Sequence, residues 1–410
     1  MAQLQGILAS LAWPFAITVA WLAGEFGQRW SGLPRISFYG LAGFALAAGQ
    51  LGVLPPAGVG NALLLADVGF ALVLFELGYR INLRWLRTNP WIGIAGLAEA
   101  GLTGIAVFLI ARAFGVAGIH ALMLASLSMA TSPATVVRVI NEQKSSGQVT
   151  ERALHLCALD CVLAVFAFNA SVGLWIFRTF EDVGDALWNS LAMLGVSAFT
   201  GAVFGIAVPA VLRLLGKMTQ DATAAFALAV ILLVSVAYAL GLSPVVAALA
   251  FGLTARHRRV AFSQAQRNFG ALGELLTVVL FVYVASTLDW RRVAAGGALA
   301  LALVLILARL LTKTAGVTAF AHLSGISWRK GVLTGVALAP LSVFAILMLE
   351  HARHAGVQVV EELRAMAAVT MLLEVFGPVI LQQALAWARE IPATGPETPP
   401  DARPENRHAA

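Results

Sequence analysis

Charge is scarce in this 410-residue chain. Asp, Glu, Lys and Arg make up 12% of it, and hydrophobic residues make up 60%. Soluble domains carry about a quarter charged residues, so this composition excludes a soluble globular fold and indicates a polytopic membrane protein. Cysteine is nearly absent: Cys157 and Cys161 share one apolar segment, which excludes a disulfide framework and a four-cysteine metal site. His120, His155, His322, His351 and His354 form no H-E-x-x-H arrangement, so a membrane-embedded metalloenzyme is set aside and no cofactor is expected. No basic residue precedes the first apolar run. MAQLQ lacks the charged start of a cleaved secretory signal and is read as the approach to a first spanning helix. The net charge of +6 comes from basic residues scattered singly at the ends of apolar runs. That is how membrane topology is written, and no nucleic-acid partner is expected.

What the sequence has in abundance is spanning-length apolar segments. They lie at about 5–27, 34–54, 59–79, 90–114, 117–141, 153–177, 187–212, 222–240, 242–255, 268–288, 293–322, 331–349 and 365–388. About thirteen transmembrane helices are therefore expected. The eighth and ninth, joined by Leu240-Gly241-Leu242-Ser243-Pro244, could be one broken helix, and loop charge decides between the two. With thirteen spans, one set of alternate loops holds sixteen Lys and Arg, whereas the other holds only Arg112, Arg178, Arg291, Arg292, Arg353 and Arg364. The positive-inside rule then puts the N-terminus outside and the C-terminus in the cytoplasm of a multi-pass protein of the inner (plasma) membrane. Merging the two segments would move Arg256, Arg258, Arg259 and Arg267 to the outside. Residues 1–390 are thus read as one membrane domain. Residues 391–410, rich in Pro and charge, are read as a disordered cytoplasmic tail with no soluble nucleotide-binding or regulatory domain after them.

Within the segment 153–177 the only full charge is Asp160. On insertion scales an acid at the centre of a spanning helix costs ~2.5–3.5 kcal/mol, and such residues face a protein interior or a water-filled path. Cys157, Asp160 and Cys161 are spaced i, i+3, i+4 and share one face. The fifth segment is interrupted by Thr131-Ser132-Pro133, and the twelfth by Pro340 and Ser342. Proline frees a carbonyl that lipid cannot satisfy. Two interrupted helices, one in each half of the chain, point to a transporter with internal repeats and a midplane site. Arg309 and Lys313 lie in the apolar eleventh segment. Either could snorkel to an interface, less readily Lys313, which is deeper. A buried Asp and Lys can compensate one another while desolvation favours the neutral form of both. Glu99 and Glu374 are candidates for a supporting role beside the site. Asp67, Glu76 and Glu274 are lesser candidates, Glu76 mainly structural. Gly201 and Gly205 have the GxxxG spacing of close helix packing.

Together these features resemble the sodium/hydrogen exchanger fold of the monovalent cation:proton antiporter superfamily, nearest its bacterial Kef- and Nap-like branch. Thr131-Ser132-Pro133 with Val136-Val137-Arg138 resembles the family's unwound helix, and Leu159-Asp160-Cys161-Val162-Leu163-Ala164 its acidic signature. Lys313, with Gly316 and then Gly325-Ile326-Ser327, falls where the family has a buried lysine. Gly335-Val336-Ala337-Leu338-Ala339-Pro340 resembles the second unwound helix. The resemblance implies inverted repeats with two crossed, interrupted helices, in a core domain that moves like an elevator against a dimerisation domain. It also implies a homodimer exchanging Na⁺ or K⁺ for protons, with no cofactor beyond a transient alkali cation. Family members often carry two adjacent acids or Asn-Asp, whereas this chain has Asp160-Cys161, or Leu159-Asp160 in the other register.

The expected function is secondary active exchange of a monovalent cation for protons by alternating access around Asp160. Lys313, Thr131, Ser132 and Cys161 join Asp160 in the candidate ion- and proton-binding set, and Pro133, Pro340 and Ser342 mark the helix breaks. Glu99, Glu374 and Arg309 stand behind them. The alternative is a divergent, non-exchanging relative acting as a membrane sensor, scaffold or ion channel.

Overall fold

The computed structural model describes residues 2–55, 62–177, 183–214, 222–258, 269–287, 298–341, 345–346, 348–349 and 364–392. Ser342 and the segment 393–410 lie outside these. The helices are α1 (Ala2–Ser31), α2 (Arg35–Leu46), α3 (Ala62–Arg80), α4 (Leu83–Thr88), α5 (Pro90–Ala113), α6 (Gly118–Met129), α7 (Pro133–Glu142), α8 (Gln148–Phe177), α9 (Val183–Leu214), α10 (Ala222–Ala239), α11 (Pro244–His257), α12 (Gly270–Ser286), α13 (Ala298–Ala319), α14 (Trp328–Ala337) and α15 (Arg364–Trp387). No strand occurs among the described residues, as backbone self-sufficiency in lipid demands of any spanning element outside a closed barrel.

Each of the thirteen apolar segments corresponds to one of these helices or, at the fifth, to the pair α6–α7. Among the described residues, seven spans are long and apolar enough by themselves to cross a bilayer. Some of the others are shorter; α2, for one, ends at Leu46, where a turn anchored by Leu54 N–H on the Leu46 carbonyl (2.9 Å) follows it. The eighth and ninth segments are two helices. Gly241 takes left-handed geometry, with φ +64°, where a side chain would be strained. Ser243 then caps α11 by accepting from Val246 N–H at 3.4 Å, with Pro244 at the first helical position. The same Ser-Pro device starts α7, where Ser132 accepts from Thr135 N–H.

The helices pack in two groups. One contains α5, α6, α7, α8, α13, α14 and α15, and surrounds the two helix breaks. The other contains α1, α2, α3, α10, α11 and α12, with α9 lying along α11 and also against α8. Gly201 and Gly205 of α9 face Ala247 and Thr254 of α11 so closely that a Cβ on Gly205 would come within 2.6 Å of Thr254 Cβ. The GxxxG spacing therefore does what its small residues permit. Six spans, α8 to α13, lie between α6–α7 and α14, so the two interrupted helices enter the crossing in opposite senses. This is a polytopic all-α membrane fold of inverted, interrupted helices.

Candidate functional site: the crossing of two broken helices

The first break is the extended stretch between α6 and α7, with Ala130 at ψ 150 and Ser132 at ψ 107. The second follows α14, whose C-cap is Leu338. The backbone N–H of Ser132 donates to the Pro340 carbonyl at 2.8 Å, joining the two breaks directly. Pro133 starts α7, where its missing N–H costs nothing. Every helix break strands backbone groups, which must find partners in a bilayer. Here they do. The thiols of Cys157 and Cys161 both donate to the Thr131 carbonyl at 3.5 Å. Arg309 donates from Nη1 to the Ser128 carbonyl and from Nη2 to the Ala339 carbonyl at 3.4 Å, bridging the two breaks. Arg309 is 1% exposed and does not snorkel.

Asp160 lies at this crossing. Both it and Lys313 are wholly buried. The Asp160 Oδ2 accepts from Lys313 Nζ at 2.8 Å and from Thr131 Oγ1 at 2.6 Å. The hydroxyl of Thr131 also lies 3.3 Å from the Leu338 carbonyl, so its single hydrogen favours the carboxylate, the closer and charged acceptor. Lys313 Nζ donates a second bond, to Glu99 Oε2 at 2.8 Å. Glu99 is likewise wholly buried. One ammonium thus bridges two carboxylates from α5 and α8, and Arg309, one turn earlier on α13, brings the formal charge of the four groups to zero.

Glycine makes the meeting possible. At Gly316, three residues after Lys313, a Cβ would sit 2.5 Å from the Glu99 Cα, so α13 and α5 touch backbone to backbone beside the ion pair. On the other side of α13, Gly335 of α14 rests against Thr314. Thr103 on α5 and Thr312 on α13 add a hydroxyl contact of 2.9 Å next to the pair.

Of the residues singled out from sequence, Asp160, Lys313, Thr131, Ser132, Cys161, Pro133, Pro340, Glu99 and Arg309 converge here. Ser342 lies outside the described residues. Glu374 is buried elsewhere, on α15, with its side chain against Gly40 of α2. Cys161 turns its sulfur to a backbone carbonyl and not toward Asp160. Glu76 takes part in a structural network, bonded to Arg80 at 2.9 Å and to Asn141 Nδ2 at 2.7 Å. Glu274 pairs at 3.4 Å with Arg35.

Two cavities flank the crossing along α8. One, of about 960 Å³, is lined by Arg80, Asn82, Glu151, Arg152, Arg256 and neighbouring polar groups. The other, of about 280 Å³, is lined by Asp67, Asn169, Tyr238 and a largely apolar wall including Phe70, Leu74 and Val245. Glu151 and Asn169 each lie nine residues from Asp160, about 13–14 Å along the helix at 1.5 Å per residue. Sequence reasoning missed Glu390, whose carboxylate accepts from the N–H groups of Val149 (2.9 Å) and Thr150 (2.8 Å) at the start of α8. An acid just beyond a helix of the same domain was the only signal, and nothing local ties it to residue 149.

No curated protein matches the sequence. Two solved structures of the sodium proton antiporter MjNhaP1 from Methanocaldococcus jannaschii share the fold. The one at pH 8 aligns with a TM-score of 0.69 at 15% identity, covering 93% of this chain and 97% of that one. The other, from electron microscopy, gives 0.67 at 16% identity, covering 95% and 97%. The family profile described as sodium/hydrogen exchanger, transmembrane, matches residues 15–387, and the chain therefore belongs to the sodium/hydrogen exchanger family, a family of transporters.

Proposed function

We propose that this protein is a secondary transporter that exchanges a monovalent cation, Na⁺ or K⁺, for protons by alternating access around Asp160. The observation that carries this reading is the Asp160 carboxylate, wholly buried at the point where two broken helices cross, held by Lys313 and Thr131 and flanked by a cavity toward each end of α8. With no cation bound, the ammonium of Lys313 neutralises the carboxylate. A cation entering from one cavity takes the place of that ammonium, and the proton held by the Asp160–Lys313 pair leaves. Reversal on the other side completes the exchange. Pro133 and Pro340 keep the crossing unwound, and Ser132 joins its two strands. The MjNhaP1 structures, described as those of a sodium proton antiporter, support the same class of activity.

The test is a pH dye in everted vesicles. Adding Na⁺ or K⁺ is expected to dissipate an imposed proton gradient, and Asp160→Asn is expected to abolish the response. A wild-type protein that gives no cation-dependent proton flux between about pH 6 and 9 refutes the reading and favours a non-exchanging relative. The excess of basic residues in one set of loops supports a cytoplasmic C-terminus, and on that reading the larger polar cavity opens to the cytoplasmic side. The dimer and the inner membrane are part of the same proposal.

A further inference from the structure

The cation site has room for a second acid, and the structure supplies one from an unexpected helix. Lys313 Nζ stands 2.8 Å from Asp160 Oδ2 and 2.8 Å from Glu99 Oε2, so those two oxygens lie no more than twice that distance apart. The other oxygen of each carboxylate, Asp160 Oδ1 and Glu99 Oε1, is buried and accepts from no N–H or O–H donor among the described residues, while the two carboxyl groups lie within hydrogen-bonding reach of one another. A buried carboxylate oxygen left unpaired is costly, and two such oxygens on acids that share one cation mark a ligand set waiting for a further positive charge. Cys161, next to Asp160 in sequence, is not the second ligand: its sulfur is turned to the Thr131 carbonyl, and a thiol is a poor partner for a hard cation, which prefers oxygen.

We propose that Glu99 is the second ligating carboxylate of the transport site, so that the substrate alkali cation is held between Glu99 on α5 and Asp160 on α8 at the point marked by Lys313 Nζ. This rests on the antiporter reading and sharpens it. The geometry accounts for the close approach of α5 and α13 at Gly316, which brings Glu99 within reach of the crossing. It also accounts for the Glu99 side chain, buried in a helix that carries no break of its own. Because α5 belongs to the same helix group as α8 and α13, both ligands travel together in any motion of that group against the other helices.

The full-length purified protein tests this with Na⁺, Li⁺ and K⁺ as chloride salts as the only added probes. Cation binding is followed by calorimetry and by the cation-dependent rise in melting temperature, and exchange is followed in proteoliposomes. Glu99→Gln is expected to raise the half-saturating cation concentration at least tenfold, while Glu99→Asp, which keeps the carboxylate, stays within a few-fold of wild type. Infrared difference spectra with and without Na⁺ provide a second readout that does not depend on Glu99→Gln folding. If Glu99 ligates, wild type shows two cation-sensitive carboxylate bands and Asp160→Asn retains one. Half-saturation within twofold of wild type in a folded Glu99→Gln protein, or a single cation-sensitive band that vanishes in Asp160→Asn, overturns the inference while leaving exchange at Asp160 standing. A wild-type protein that neither binds nor exchanges cations overturns both.

Discussion

Ser132 and Pro340 hold the crossing together: the amide of one donates to the carbonyl of the other at 2.8 Å, at the point where both helices have lost their own ladder. Proline at each break removes a donor and frees a carbonyl. The chain answers with side chains drawn from three other positions, the thiols of Cys157 and Cys161 and the guanidinium of Arg309. Within this crossing Asp160 Oδ1 and Glu99 Oε1 accept from no N–H or O–H donor among the described residues.

Thr131 is the side chain whose loss should read most directly on ion binding. Its hydroxyl donates to Asp160 at 2.6 Å, and a hydrogen bond to a charged group contributes about 1.5–3 kcal/mol. Thr131→Val keeps the shape and removes the donor. The apparent KM for the cation is expected to change by roughly ten- to a hundredfold on this scale, whereas Thr131→Ser stays near wild type. The measurement is the cation dependence of proton flux, and an unchanged KM in Thr131→Val rules the contact out as a determinant of binding.

Much of this site was legible in the sequence because bilayers penalise charge and broken helices so heavily. Asp160, Lys313 and the two proline interruptions stood out as violations of an apolar pattern, and all of the described ones meet in space. Glu99 and Glu374 looked alike in one dimension, each a lone acid in an apolar span. What separates them is the helix face each occupies relative to its neighbours: Glu99 lies opposite Gly316 of α13, Glu374 opposite Gly40 of α2. Periodicity within one helix carries no information on which partner a face will meet. The thiols illustrate the converse. They read as packing residues, and their hydrogen bonds to Thr131 become visible only once the break is seen to expose that carbonyl.

The shared ammonium makes a coupled pair of substitutions informative. Lys313→Met leaves two buried carboxylates facing one another, and breaking a buried ion pair by removing one partner costs about 3–5 kcal/mol. A clear fall in melting temperature is expected. Glu99→Gln in the same background removes one of the uncompensated charges, so part of that loss should return. A double-mutant cycle on thermal unfolding in detergent is expected to show a coupling of at least about 1 kcal/mol, within the usual range for contacting residues. Simple additivity of the two changes would separate Glu99 from Lys313 energetically and contradict the bridged geometry.

Glu390 provides a test of how the carrier helix is held. Its carboxylate satisfies the N–H groups of Val149 and Thr150 and the hydroxyl of Thr150, and its backbone carbonyl accepts from Ser146 N–H at 3.0 Å. An acid at a helix N-terminus satisfies stranded donors and complements the helix dipole. Glu390→Ala is expected to lower stability by about 0.5–2 kcal/mol, seen as a shift of a few degrees in melting temperature. The cation KM should stay within a few-fold of wild type, because Asp160 lies three turns further along α8. A large change in KM without a change in melting temperature would mean that this cap governs the site and not the helix end.

Gly316 is a tight steric constraint on the site. A Cβ there would stand 2.5 Å from the Glu99 Cα and 2.6 Å from its Cβ, closer than any side chain tolerates, and the obstacle is helix backbone that cannot swing aside. Packed interiors answer such overpacking with shifts that cost about 1–3 kcal/mol, occasionally more. In Gly316→Ala the relief must come from separation of α13 and α5, which draws Lys313 away from Glu99 while Asp160, on α8, is approached from another side. The substitution is therefore expected to weaken cation binding and exchange out of proportion to its effect on stability. Gly325→Ala is a useful contrast: Gly325 has φ +76 and open space around it, so its substitution strains the backbone without touching the ion pair. Melting temperature should fall in both variants, and cation half-saturation should rise only in Gly316→Ala. If the two variants bind the cation alike, the close approach of α5 and α13 serves packing alone, and the position of Glu99 owes nothing to it.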